Sequence, residues 1–242
     1  MFRREVFVMN LAFFDVDKTL YDGYSNKPFL DYFTKVVKPN DPLVQDIWQK
    51  ETQFLNGELE YNQATQYFLG ATGRLVAGLQ PETVLAWVKR LFPEPQPFFP
   101  WVGAVLEYLR AQNYRIYLVS GAPAVVIEEL ARQLGVEHYF ATEFLLDTNG
   151  VYSGEIHLMN HETKRSKLVE TVKKISGNHQ VISFGDSPGD VPLLEAADIG
   201  FVVQPDHNPE MVELSQKNNW VVLKHETALE QIKQTLFEKF DI

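Results

Sequence analysis

Short, mostly apolar runs that alternate with amphipathic stretches constrain this chain more than any other feature. Strands of a parallel sheet that are buried on both faces have such continuous runs, whereas half-exposed strands alternate apolar and polar residues. Helical periodicity fills most of the intervals, over residues 100–112, 123–134, 164–175 and 227–240. The alternation predicts an α/β fold with a doubly wound, Rossmann-like parallel sheet. The apolar runs are Leu11–Val16, Arg115–Val119, Val181–Phe184, Ile199–Val203 and Trp220–Leu223.

Two stretches interrupt the alternation. The first has no strand pattern, and Asp41-Pro42 within it is typical of a helix N-terminus, with a capping residue before a proline. We therefore expect a helical cap, residues 25–95, inserted into a core that residues 1–24 and 96–242 form. The second is Phe140–His157, where Asn149-Gly150 predicts the turn of a small β-hairpin.

Composition narrows the classes of partner. The formal net charge of −10 disfavours nucleic acid and anionic membrane surfaces as partners. No apolar stretch approaches the ~20 residues that a membrane span needs. The chain has no cysteine, which excludes disulfides, thiolate nucleophiles and cysteine-based zinc sites and is compatible with a reducing compartment. We expect a cytoplasmic protein; the oligomeric state is left open.

Four polar segments lie where a predicted strand ends or a predicted helix begins. In an open parallel sheet, such positions meet at one crevice along the carboxyl ends of the strands. Each segment alone is equally typical of a helix cap or a turn, so only their combination predicts a site. The segments are residues 15–19 (DVDKT), 120–123 (SGAP), 163–167 (TKRSK) and 185–190 (GDSPGD).

The first and last segments supply carboxylates. Asp15 and Asp17 directly follow a buried strand, and like charges so close together repel unless a proton or a cation intervenes. Asp186 and Asp190 are four residues apart and can face the same crevice. Because Mg²⁺ prefers hard oxygen ligands, these acids indicate a magnesium site.

The middle segments supply groups that bind an anion. The Ser120 hydroxyl and the Gly121 amide are suited to a phosphoryl oxygen, since glycine permits a close approach to the backbone. Lys164 lies four residues before Leu168 and shares its buried helix face, with Lys167 as the second candidate. A nucleophile, an acid–base group, a cation and a metal site together are the parts that phosphoryl transfer needs.

At these residues the chain resembles the haloacid dehalogenase superfamily. The helical insert is similar to the cap of its phosphoserine-phosphatase-like branch, subfamily IB. All four motifs of the superfamily occur in order within residues 15–190. They are a DxDxT pattern at Asp15, Asp17 and Thr19, a hydroxyl residue after a strand at Ser120, a lysine at Lys164, and a GDxxxD pattern at Gly185, Asp186 and Asp190.

The resemblance implies a role for each residue. Asp15 would be the nucleophile that forms an aspartyl-phosphate, and Asp17 would protonate the leaving alcohol and later activate water. Thr19 would orient the phosphate site. The phosphoryl oxygens would contact Ser120, Gly121 and Lys164. The Mg²⁺ ligands would be Asp15, the backbone carbonyl of Asp17 and Asp186, with Asp190 binding directly or through water.

The implied activity is Mg²⁺-dependent hydrolysis of a small phosphorylated metabolite. A phosphotransferase or phosphomutase that uses the same aspartyl-phosphate is the alternative, and a non-catalytic module that only accepts phosphate is a third possibility. In the family, a cap arginine binds the carboxylate of phosphoserine. Because no Arg or Lys occurs between Glu51 and Gly73, we expect a substrate other than phosphoserine.

Overall fold

A computed structural model describes residues 9–175, 179–204 and 208–241 of the 242-residue chain. Residues 1–8, which the expected core includes, lie outside the described residues. Seven strands form one sheet in the order β4-β3-β2-β1-β5-β6-β7, and every neighbouring pair is parallel except β3 and β4. The strands are β1 (Asn10–Phe14), β2 (Tyr114–Pro123), β3 (His138–Leu146), β4 (Tyr152–His157), β5 (Val181–Gly185), β6 (Ile199–Val203) and β7 (Val221–Leu223).

Helices cover both faces of this sheet, which confirms the predicted α/β fold. The helices are α1 (Asn26–Tyr32), α2 (Pro42–Leu55), α3 (Tyr61–Val76), α4 (Pro81–Leu91), α5 (Val102–Ala111), α6 (Ala124–Leu134), α7 (His161–Lys174), α8 (Val191–Glu195), α9 (Pro209–Asn218) and α10 (Ala228–Phe240). A π-helical turn, Phe33–Val37, continues α1, and a 3₁₀ turn, Pro188–Asp190, precedes α8.

The central strands are continuously apolar because side chains pack against both of their faces. On one face, the rings of Phe14, Phe184 and Phe201 stack across β1, β5 and β6, with neighbouring centroids 4.0 and 4.7 Å apart. On the other face, Phe13 stacks on Tyr117 of β2 with centroids 4.9 Å apart. Because both faces are buried, alternation of polar and apolar residues is absent from these strands.

The four helices α1–α4 occupy the segment between β1 and β2 where the cap was expected. The Asp41 side chain caps α2 as predicted, accepting a hydrogen bond from the Leu43 amide at 3.0 Å. Large apolar side chains of this segment, such as Phe29 and Phe33, are fully buried in the same cluster as the sheet residues. The cap boundaries at residues 25 and 95 stay a prediction.

The hairpin of β3 and β4 joins the edge of the sheet to the cap. Its turn contains Gly150 at φ 77°, as the Asn149-Gly150 pair predicted. Backbone hydrogen bonds connect Tyr152 of β4 with Gly78 and Leu79, just after α3, at 2.8 and 3.0 Å. A Cβ atom on Gly73 of α3 would lie 2.5 Å from Ile156 Cγ2, so the two elements touch closely here.

Several elements differ from the sequence expectation. The sequence does not predict helices α1 and α9, because α1 has only seven residues and α9 has only two buried residues, so neither shows a clear apolar face. Strand β2 continues to Pro123, four residues beyond the expected end at Val119, because Pro123 pairs with Thr142 of β3 after a register shift. Among the described residues, no helix is long and apolar enough to cross a membrane.

Candidate active site

The side chain of Lys164 links two of the predicted motifs directly. Its Nζ donates hydrogen bonds of 2.6 Å to Oδ1 of Asp15, at the end of β1, and of 2.6 Å to Oδ1 of Asp190. Lys164 is 7% exposed and Asp15 is 6% exposed, so these are buried ion pairs. Residues 149 positions apart in the chain therefore meet at the carboxyl edge of the sheet.

The first turn of α7 aims Lys164 at this point. The Asn160 side chain caps the helix, accepting from the Thr163 amide at 2.9 Å, and α7 begins three residues earlier than predicted. Lys164 and Leu168 share the buried face, as their spacing predicted. Lys167 instead lies with its Nζ 5.7 Å from the ring centroid of Phe140. Of the two candidates, the structure brings only Lys164 to the acids.

Asp190 organises the loop after β5. It is fully buried, and its Oδ2 accepts hydrogen bonds from the Asp186 amide at 3.3 Å and from the Ser187 amide and hydroxyl at 3.2 and 2.9 Å. Its Oδ1 accepts from Lys164. With four donors on one carboxylate, Asp190 positions both the loop and the lysine.

Gly185 explains why this loop begins with a glycine. A Cβ atom at residue 185 would lie 2.4 Å from Cβ and 2.8 Å from Cγ of Asp190, closer than real Cβ contacts allow. The backbone of β5 can therefore approach Asp190 only where there is no side chain. In the GDxxxD pattern, the glycine makes room for the second acid.

Asp186 connects the fourth motif with the first through a hydrogen bond. Its Oδ1 accepts a hydrogen bond from the fully buried Thr19 hydroxyl at 3.1 Å. Thr19 thus fixes an acid of the fourth motif, and its role toward the phosphate stays a prediction. Burial, and then the neighbouring charge of Asp190, raise the pKa of Asp186 to about 7.

The pKa values of Asp15 and Lys164 are both raised, which favours the neutral form of the acid and the charged form of the amine. Burial raises the pKa of Asp15 well above its usual range, and the Asp190 charge adds to this, while Lys164 opposes both. The pKa of Lys164 is also raised, because the charges of Asp15 and Asp190 outweigh the effect of its burial. The Lys164 ammonium therefore stays charged. The raised pKa of Asp15 indicates that one ammonium does not offset the negative charge of the neighbouring acids.

Asp17 faces the loop that leads into the cap. Its Oδ1 accepts a hydrogen bond of 2.9 Å from the amide of Ser25, the residue before α1. Burial raises the pKa of Asp17, and hydrogen bonding from Ser25 lowers it in part. A partly exposed carboxyl group that retains its proton more readily than usual suits general acid catalysis. The contact with Ser25 was not predicted, because no sequence pattern marks it.

Ser120 and Gly121 lie in the extended end of β2 rather than at the start of a helix as predicted. Helix α6 begins at Ala124, after Pro123. The buried Ser120 hydroxyl accepts from the Ala122 amide at 3.1 Å, which matches a turn-stabilising role. The Gly121 carbonyl accepts from the Thr142 hydroxyl at 2.6 Å. Their role toward phosphate stays a prediction.

The acids fit the predicted magnesium. Carboxylate oxygens of Asp15, Asp186 and Asp190 all lie within 4.8 Å of one another, and they are hard ligands of the kind Mg²⁺ prefers. Lys164 offsets one of the three negative charges of these carboxylates. The two negative charges that remain are matched by a divalent cation. The Asp17 carboxylate is not in this group, and the part of its backbone carbonyl in metal binding stays a prediction.

Comparison with known proteins assigns the chain to a family. The model of the haloacid dehalogenase-like hydrolase family matches residues 12–195, more than half of the chain and all four motifs. The chain belongs to this family. The family assignment confirms the predicted superfamily and the prediction of a hydrolase.

Relatives of this haloacid dehalogenase-like hydrolase include phosphatases. A phosphoserine phosphatase of Lactococcus lactis is 29% identical over 99 residues, which are 40% of this chain and 45% of the relative. A probable phosphatase of Mycobacterium tuberculosis is 24% identical over 200 residues, 81% of this chain and 69% of the relative. The chain thus aligns with about half of the Lactococcus enzyme and a larger share of the mycobacterial one.

Solved structures show the same fold. A Bordetella pertussis protein of unknown function has a TM-score of 0.74 and 26% identity, covering 90% of this chain and 99% of its own. A phosphoserine phosphatase solved as an analogue of its phospho-aspartyl intermediate has a TM-score of 0.62 and 17% identity, covering 94% of this chain and 99% of its own. The second likeness supports the fold alone.

Proposed function

We propose that this hydrolase is a Mg²⁺-dependent phosphatase that hydrolyses a small organic phosphomonoester through an aspartyl-phosphate on Asp15. The observation that carries the proposal is the buried contact of Lys164 with Asp15 and Asp190 at 2.6 Å, beside Asp186. A dianionic phosphate approaches a carboxylate nucleophile only where its charge is offset, and here Lys164 together with a divalent cation on the acids would offset it. The phosphatase relatives support the same reaction class.

In the first step, a carboxylate oxygen of Asp15 forms a bond to phosphorus and the bond from phosphorus to the ester oxygen breaks. Asp17 gives its proton to the leaving alcohol. In the second step, Asp17 takes a proton from water, and the water oxygen attacks phosphorus as the bond to Asp15 breaks. Lys164 stays protonated throughout and neutralises the transferred group.

The metal would be held by Asp15 and Asp186, with Asp190 adjacent and the backbone carbonyl of Asp17 as a further ligand. When bound, Mg²⁺ would supply charge neutralisation for the transferred phosphoryl group. We infer that Asp190 acts mainly through Lys164 and the loop amides, because its four hydrogen bonds already engage both of its oxygens.

A panel of phosphorylated metabolites, with phosphate release as the readout and phosphoserine included, tests the proposal. We expect Mg²⁺-dependent turnover that Asp15→Asn abolishes, and a preferred substrate other than phosphoserine. Turnover unchanged in Asp15→Asn contradicts the proposal. Little phosphate release, together with phosphoryl transfer that needs a bisphosphate activator, would favour the phosphomutase alternative. The cytoplasmic location stays a prediction from the sequence.

A further inference from the structure

The hydroxyl of Ser25 is buried and makes no hydrogen bond of ordinary geometry in the described part of the chain. Ser25 is 0% exposed, and its Oγ has no hydrogen-bond partner among the described residues. Leaving a buried hydroxyl without a partner costs free energy, so an orphaned group of this kind calls for an explanation.

The position of Ser25 at the start of α1 does not account for its hydroxyl. Ser25 occupies the N-cap position of α1, where a serine hydroxyl normally accepts a hydrogen bond from the helix, but here the side chain makes no capping bond. The hydroxyl therefore does not stabilise the helix that follows it.

The backbone of the same residue touches the site. The Ser25 amide donates to Oδ1 of Asp17 at 2.9 Å, so the residue that carries the unpaired hydroxyl is already bound to this carboxylate. Solvent reaches this region, because Asp17 is partly exposed and the neighbouring Tyr24 is half exposed. Because the hydroxyl oxygen is only three bonds from this amide nitrogen, it is placed to become a second donor to the same carboxyl group.

We propose that Ser25 is a positioning residue for Asp17, with its amide and its hydroxyl together orienting the carboxyl group toward the ester oxygen of the substrate. The inference rests on the proposed function, in which Asp17 is the general acid and base. Because Ser25 directly precedes α1, the proposal couples the orientation of the Asp17 carboxyl group to the position of the first cap helix.

Leaving-group chemistry separates this role from a structural one. The value of kcat/KM reports only the steps up to formation of the aspartyl-phosphate, where an alkyl alcohol needs a proton from Asp17 and a nitrophenolate does not. Ser25→Ala removes the hydroxyl and keeps the amide. We expect kcat/KM to fall about 10- to 100-fold for the best alkyl phosphomonoester of the panel. For para-nitrophenyl phosphate we expect less than about a 3-fold change.

Two further variants complete the test. Ser183→Ala is the matched control, because Ser183 in β5 is also fully buried and its hydroxyl also lacks a partner, and no hydrogen bond joins it to a site carboxylate among the described residues. It should leave both kcat/KM values unchanged. Ser25→Thr keeps the hydroxyl and should restore the alkyl value to within about 3-fold of the wild-type protein. Thermal melting should show no loss of stability in either alanine variant.

An equal fall of both kcat/KM values in Ser25→Ala, or no fall in either, overturns the inference. Both results differ from a failure of the proposed function, in which the wild-type protein itself would release no phosphate in Mg²⁺.

Discussion

Replacing Lys164 by methionine removes one positive charge and little volume. The change leaves Asp15 and Asp190, each 2.6 Å from the lost ammonium, without a buried counter-charge. Removing one partner of a buried ion pair costs about 3–5 kcal/mol. We therefore expect the metal-free variant to lose stability of about this size near pH 8, and less at lower pH, where the acids can take up protons.

The effect on activity should exceed the effect on metal binding. Loss of a cation that neutralises a transferred phosphoryl group lowers kcat by about 10³-fold or more. The acids of the metal group remain and lose the lysine that pairs with two of them, so Mg²⁺ should bind at least as tightly and should restore part of the stability. Phosphate release, isothermal titration with Mg²⁺ and denaturant unfolding measure the three quantities.

Lys167→Met is the matched control for this prediction. Lys167 lies one helical turn away, over the ring of Phe140, and the structure shows it in no ion pair with the site acids. Its replacement should leave kcat within about 3-fold of the wild-type value. Equal losses in the two variants, or a Lys164→Met variant with ordinary turnover, would refute the reasoning.

Three further predictions concern the glycines and the acids. Gly73→Ala should lower the melting temperature, since its Cβ would lie 2.5 Å from Ile156 Cγ2, whereas Gly70→Ala, with nothing within 4 Å, should raise it slightly. Gly185→Ala should lower both stability and kcat by displacing Asp190, while Gly189→Ala, whose nearest contact is at 3.5 Å, should leave kcat intact. The raised pKa of Asp186, about 7, means that the metal-free protein should lose stability as pH rises from about 4 toward 7. Asp186→Asn or saturating Mg²⁺ should flatten this loss in pH-dependent melting.

Each of these three predictions has a result that would contradict it. Equal effects of the Gly73 and Gly70 substitutions would mean that α3 does not pack closely on the hairpin. An unchanged kcat in Gly185→Ala would mean that Asp190 does not depend on the missing side chain. A metal-free stability that rises over this pH range in the wild-type protein relative to Asp186→Asn would contradict the charge arrangement.

The sheet and its crevice could be predicted because their signals are local. Continuous apolar runs require burial on both faces, and the strand order then brings Asp15 and Asp186 to the ends of the adjacent strands β1 and β5. The helix spacing of Lys164 and Leu168 predicted which lysine is buried. These inferences need only the periodicity of each segment and the convergence of parallel strand ends.

Other features depend on contacts between distant segments, which periodicity does not carry. The extension of β2 to Pro123 follows from pairing with Thr142, and the need for Gly185 follows from the approach of Asp190. The contact of the Ser25 amide with Asp17 has no sequence signature, because a backbone donor is present at almost any residue. Helix α1 has seven residues, too few for a clear helical pattern.

The central claim is that the phosphoryl group passes through Asp15. Rapid acid quenching of the Asp17→Asn variant with para-nitrophenyl phosphate, whose leaving group needs no proton from Asp17, and Mg²⁺, followed by proteolysis and mass spectrometry, tests it most directly. Without the acid–base group to activate water, the intermediate should accumulate. The account predicts one phosphoryl group on the peptide that contains residue 15, and none in the Asp15→Asn, Asp17→Asn double variant. A phosphoryl group on another residue, or equal labelling in the double variant, would contradict it.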